Sequence, residues 1–196
     1  MLNLSAIKLN RLGFFCVALV CTFPALGPVV VLAEPSISFK VALIQGLSQN
    51  EGASAYYEES LYEPIWTGPS KHSELRRSAL IYALNNIHVH ALPRGNYHLE
   101  NILSMFERVK TQADLGALEA KLTQAFLLYA RQVHSGLVRP DKIDEAIAHR
   151  VNYAPTRAYL EGLTKGNASD FIKSLPPQSE EYHRLLRARQ DLLQIE

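Results

Sequence analysis

Seven histidines, two cysteines and several paired carboxylates are the side chains of this sequence that could do chemistry. His88, His90 and His98 lie closest together, and imidazoles at such spacing first suggest zinc. Tetrahedral zinc takes a fourth ligand and supporting carboxylates, whereas the neighbours here are Asn85, Asn86 and Asn96. No His-Glu-Xaa-Xaa-His pattern occurs, so the three are read as loop residues in water. Serine has no Gly-Xaa-Ser-Xaa-Gly setting, and the one Ser-Xaa-Xaa-Lys pair, Ser5 and Lys8, lies in an N-terminal leader. There is no glycine-rich phosphate loop. Glu58/Glu59 and Glu180/Glu181 are sequence neighbours, so on a helix they point apart and cannot converge on one bond. Helices carrying both signs of charge in this way read as solvated faces. Asn167-Ala168-Ser169 has the pattern of a glycosylation acceptor, which three residues specify weakly. Tyr56, Tyr57, Tyr62 and Trp66 could line a sugar-binding groove, but the edge of a core is the simpler reading. No residue is therefore assigned a catalytic, cofactor-binding or metal-ligating role, and no cofactor is expected.

The cysteines, Cys16 and Cys21, both fall within residues 1–33, which look like a secretory signal peptide. Lys8 and Arg11 make a short basic start, residues 12–32 carry no charge, and Val31-Leu32-Ala33 precedes Glu34-Pro35 as a cleavage site. An uncleaved anchor is the alternative, since an uncharged run of this length reaches across a bilayer; Pro24, Gly27 and Pro28 argue against a spanning helix. Phe15 and Val20 stand where acylation of the following cysteine would need a small residue, which disfavours a lipoprotein. Cleavage after Ala33 would remove every thiol, and with it any disulfide or cysteine nucleophile. Loss of both leader cations would turn the formal charge from +1 to −1.

The elements that would position anything else are helical. The 196 residues allow one domain, and 47 % hydrophobic with 20 % charged residues describes a folding chain. A near-neutral charge gives no reason to expect nucleic acid or an anionic membrane as partner. Leu115, Leu118, Leu122, Ala125, Phe126, Tyr129 and Val133 recur at steps of three and four, the pattern of one apolar helix stripe. Gly136 can end that helix in a left-handed conformation, Pro140 blocks its resumption, and Asp114 is a candidate cap. Further helices are predicted over residues 37–47 (a strand being the alternative), 53–62, 73–87 with Ser73 as N-cap, 99–110, 158–163, 170–174 and 180–193. A polar-rich stretch spans 141–149. The helix over 73–87 should bury Leu75, Ala79, Leu80, Ala83, Leu84 and Ile87, and the last helix should pair Glu180 with Arg184. Nothing alternates strictly as a sheet strand does. The expected fold is all-α, a compact bundle of short helices around one long central helix.

Four stretches, in order and register, resemble the N-terminal scaffold domain of the large periplasmic murein L,D-transpeptidases over about residues 50–193. They are Tyr56-Tyr57 with Tyr62, Pro64 and Trp66; Leu84 through Leu92 to Tyr97; Leu122-Thr-Gln-Ala-Phe-Leu-Leu-Tyr-Ala-Arg131 closing at Ser135-Gly136 and Pro140; and Leu175-Pro-Pro-Gln178 with Tyr182 and Leu185. The chain departs from that pattern at Ser60 and Leu61, where the family usually has a basic residue and glycine, at Ala91, where it has glycine, and at Leu137, where it has a basic residue. In that family the scaffold precedes a peptidoglycan-binding module and a catalytic domain with a cysteine nucleophile and a histidine base. Residues 34–196 contain no cysteine, and the sequence stops at Glu196 where those parts would begin.

The resemblance thus implies an exported, periplasmic, non-catalytic scaffold domain with a role in cell-wall remodelling, expected as a split or truncated product. Its partner would be a separate L,D-transpeptidase catalytic domain or another cell-wall enzyme, with no nucleic acid, and a membrane only if the leader stays uncleaved. The alternative is a free-standing periplasmic interaction protein that docks other cell-wall enzymes. Mass spectrometry of the protein recovered from its producing cell should find the N-terminus at or near Glu34. Full-length chain in the membrane fraction would favour the anchor.

Overall fold

The long apolar stripe becomes the helix Gln112–Ser135. Thr111 caps it in an extended conformation, its hydroxyl accepting from the Asp114 N–H at 3.1 Å. Asp114, the residue expected to cap, instead sits three residues inside and returns the favour: its carboxylate accepts from the Thr111 N–H at 2.8 Å and the Lys110 N–H at 3.0 Å. At the far end the Gly136 N–H donates to the Gln132 carbonyl, and Gly136 has the positive φ expected of it (85°), with an extended ψ of 163° instead of a left-handed one. Phe126 and Tyr129 are buried, as are Leu118, Leu122, Ala125 and Val133.

In the computed structural model, residues 35–137 and 153–195 are described. The leader, Pro140 and the stretch 141–149 lie outside them. Among the described residues the chain is all-α, with eight α-helices, two short 3-10 turns and no strand. The helices are α1 (Ile37–Leu47), α2 (Glu51–Glu59), α3 (Lys71–Asn85), α4 (Leu99–Arg108), α5 (Gln112–Ser135), α6 (Thr156–Lys165), α7 (Ala168–Ser174) and α8 (Glu180–Leu193). The 3-10 turns occupy Ile87–His90 and Arg94–Tyr97.

The first helix lies closest to α5. Phe39, Leu43 and Leu47, four residues apart, form its buried face. The two backbones approach through glycines: a Cβ on Gly116 would run into the Phe39 carbonyl, and one on Gly46 into Ala120. The Gln124 amide donates to the Gly46 carbonyl at 2.6 Å, satisfying an acceptor near the end of α1.

Polar caps set the other helix starts. Asn50, Ser70, Asn167 and Ser179 each accept backbone N–H groups of the turn that follows. Ser70 therefore displaces Ser73 as the start of α3, and Ser73 lies buried in its first turn. The buried face of α3 is Leu80, Ala83 and Leu84; Leu75 is 53 % exposed, contrary to its predicted place in the core.

At its end, α2 stops at Glu59, three residues before the predicted Tyr62. The Leu61 N–H bonds the Glu58 carbonyl and the Tyr62 N–H bonds the Tyr57 carbonyl, which closes the helix in a Schellman turn. That turn puts Leu61 (φ 54°) and Tyr62 (φ 62°) in the left-handed region. Ala91 (φ 58°) is likewise left-handed where it ends the first 3-10 turn, its N–H bonding the His88 carbonyl. Leu61 and Ala91 are thus two non-glycine residues in a conformation that favours glycine. Leu61 is 75 % exposed, so its side chain contributes little burial to offset that strain. Leu61→Gly should raise stability by on the order of 1 kcal/mol, read by urea denaturation, because glycine takes the left-handed conformation without steric cost. A loss of that size would place the position outside this rule.

Candidate functional site

The densest polar constellation among the described residues is buried, and it centres on Glu119 of α5. Its carboxylate has no exposed surface. Oε1 accepts from the Ile65 N–H at 2.7 Å, the Trp66 N–H at 3.1 Å and the Tyr57 hydroxyl at 2.7 Å. Oε2 accepts from the Thr67 N–H and the Thr67 hydroxyl, both at 2.8 Å, and from the Trp66 N–H at 3.2 Å. One turn on, Thr123 accepts from the Trp66 indole N–H at 2.9 Å and pairs with the Tyr57 hydroxyl at 2.8 Å. Tyr57 on α2, the connector through Trp66 and two residues of α5 thereby share one network.

The carbonyls of the same connector turn the other way, to α3. Arg76 donates to the Ile65 carbonyl at 3.3 Å and to the Thr164 carbonyl of α6 at 3.2 Å, and Arg77 donates to the Trp66 carbonyl. The backbone of residues 65–67 is thus fixed on both edges by side chains, as a buried irregular segment requires. The Trp66 indole packs on Phe126, ring centroids 5.5 Å apart.

Burial pushes the Glu119 carboxyl above its ordinary range, and the hydrogen bonds from Tyr57, Thr67 and Trp66 oppose that shift. Burial, then the neighbouring Glu119 charge, holds the Tyr57 phenol well above its usual value. A carboxylate whose oxygens are met by donors of its own fold, with no opening to solvent, does not face a substrate or a metal. It acts as a tie between elements.

The side chains singled out in the sequence are spread apart. His88 is exposed and meets the Arg94 guanidinium at 3.1 Å. His90 is partly buried, with Nδ1 2.7 Å from the Tyr182 hydroxyl and the two rings stacked. His98 sits in a left-handed conformation before α4. Among the described residues, no three His, Cys, Asp or Glu side chains are grouped as a metal site requires. Of the aromatic cluster, Tyr57 and Trp66 are fully buried in the core, while Tyr56 and Tyr62 pack against it partly buried. Glu58, Glu59, Glu180 and Glu181 are exposed, and Arg184 pairs with Glu181 at 3.3 Å in place of Glu180. The Asn167 side chain caps α7.

Sequence reasoning missed Glu119 and Thr123. The available signal was a Glu and a Thr four residues apart, one position beyond Leu118 and Leu122, on a helix whose apolar residues spread past a single stripe.

The last helix stands apart from this core. No residue of α8 is buried; Leu185, Leu192 and Leu193 are 70 %, 66 % and 53 % exposed. Its Tyr182 supplies the bond to His90.

The described residues thus form an all-α body braced from within, with apolar side chains left on a peripheral helix. Residues 51–188 match the protein-family model of the Scaffold domain, and the chain belongs to that family. No curated protein and no solved structure matches the chain at a significant level.

Glu119→Gln should cost at least about 2 kcal/mol, because its amide turns two hydrogens toward a site already filled with donors and leaves backbone N–H groups unpaired. A carboxyl raised by folding holds its proton in the native state where the unfolded chain has lost it. Its contribution to stability therefore falls as pH rises from the ordinary carboxyl value to the raised one. In urea denaturation across that interval, the gap between the parent protein and Glu119→Gln should narrow as pH rises. A gap that widens would show the carboxyl lowered by its donors.

Proposed function

We propose that residues 34–196 form an exported, non-catalytic scaffold related to that of the murein L,D-transpeptidases, which holds a separate cell-wall enzyme in place. The family match supports the scaffold part of this reading. The resemblance in the stretches around Trp66, Phe126 and Leu175 supports its connection to L,D-transpeptidases. The observation that carries the binding role is α8, a two-faced helix with no buried residue and three exposed leucines. Ile195 just beyond it is 81 % exposed. Apolar side chains grouped in water in this way mark an interaction surface.

L,D-transpeptidation passes through a thioester and needs a cysteine beside a base. Residues 34–196 contain no cysteine, and no local sequence pattern there offers a serine nucleophile in its place. The reading therefore assigns binding to these residues and the covalent step to the partner, an L,D-transpeptidase catalytic domain or another cell-wall enzyme. The periplasm is the compartment this proposal requires.

Two measurements test it. The mature chain incubated with purified muropeptides should yield no new cross-linked species by mass spectrometry; formation of such species by the chain alone would overturn the proposal. Affinity capture from periplasmic extract should retain a cell-wall enzyme, and Leu185→Glu with Leu192→Glu should reduce that retention at least tenfold. A monodisperse monomer that captures none would overturn the docking role.

A further inference from the structure

Leu75, Ala79 and Tyr82 follow one another at i, i+4 and i+7 on α3, so they form a second apolar stripe on that helix. Its two ends stay outside the core, Leu75 being 53 % and Tyr82 70 % exposed, while Ala79 between them packs partly against it. The stripe lines a groove of about 900 Å³ between α3 and the corner joining α6 to α7, with Ile172 of α7 also in its lining. Two turns of helix present these side chains over roughly 10 Å, enough for several side chains of a partner.

The walls of the groove are cationic. Arg76 lines it from α3, Lys165 from the end of α6 and Lys173 from α7, and no described residue of the lining is Asp or Glu. Lys165 is paired with Glu161 at 2.7 Å, and Arg76 keeps its charge while donating to the Ile65 and Thr164 carbonyls. Among the described residues the Lys173 ammonium has no hydrogen bond or ion pair. A wholly apolar occupant would strip water from these cations and give nothing back. A carboxylate set beside an apolar side chain satisfies both parts of the surface and steers the encounter.

We infer that the groove between α3 and the α6–α7 corner docks a segment of a partner protein in which an apolar side chain is flanked by carboxylates. The inference deepens the docking proposal above and rests on it for the class of partner. It adds the face that is used and the chemistry of the segment that fills it.

The test is site-specific photocrosslinking in the producing cell, with Tyr82→p-benzoylphenylalanine in the groove and Leu185→p-benzoylphenylalanine on α8 as a second probe. Both side chains are exposed, so neither replacement opens the core. The expected result is an adduct at position 82 whose sequenced peptide carries Asp or Glu within four residues of the attached apolar residue. Adding Lys173→Glu should weaken that adduct at least fivefold. Arg76 is left in place because it braces the connector through Trp66. No adduct at position 82, an adduct with a second copy of this chain, or one indifferent to Lys173→Glu would overturn the inference. A cell-wall enzyme caught only at position 185 would overturn it while leaving the proposed function standing. An acidic segment of a protein with no part in the cell wall, caught at 82 and lost with Lys173→Glu, would support the groove and refute the proposed function.

Discussion

One buried carboxylate sets the terms for the rest of this fold. Glu119 has no exposed surface and receives hydrogen bonds from three consecutive backbone N–H groups and two hydroxyls. Removing an ion from water costs several kcal/mol, and only a nearly complete set of donors offsets it. The donors come from a connector that would not hold its shape alone. Carboxylate and connector therefore require each other, and α2, α3 and α5 are placed by that requirement. The ion pairs on the surface have another standing. Arg157 bridges Glu59 and Glu161, yet these side chains lie in water, where solvent and salt screen the attraction and such pairs add little to stability.

What could be read from the sequence was what periodicity controls. The span of α1, the centre of α5 and the span of α8 followed from apolar spacing and caps. Registration against neighbours did not follow. Leu75 belongs by spacing to the same face as Ala79, but α3 carries two apolar stripes; the one through Leu80 and Leu84 is buried in the core, while the other touches it only at Ala79. Ser73 looked like a cap because it precedes an apolar run, while Ser70 three residues earlier has the extended backbone a cap needs. Glu119 was hidden for a different reason. An acidic residue on an amphipathic helix is nearly always solvated, and its donors lie more than fifty residues away in sequence. No local pattern announces them.

Two departures from the resembled family gain a physical meaning from the backbone. Leu61 and Ala91, where that family has glycine, both hold positive φ. The turn geometry at these points persists without the residue type that suits it. Neighbouring contacts must then over-determine the conformation, as the paired hydrogen bonds after α2 do at Leu61. These turns are braced by hydrogen bonds of the fold itself, and not by the residue type at the turn.

The close crossing of α1 and α5 bears on the order in which the chain becomes a domain. The first helix ends at Leu47, and the helix it packs against begins only at Gln112. A chain synthesised from its N-terminus presents Phe39, Leu43 and Leu47 long before their partner exists. Local helix formation cannot bury them, because their burial depends on a contact distant along the chain, and contacts of that kind form late and slowly. The same holds for the connector at Trp66, which waits for Glu119. This domain is thus assembled backwards: its beginning stays unfinished until α5 emerges, and until then its apolar side chains are open to whatever shields a growing chain.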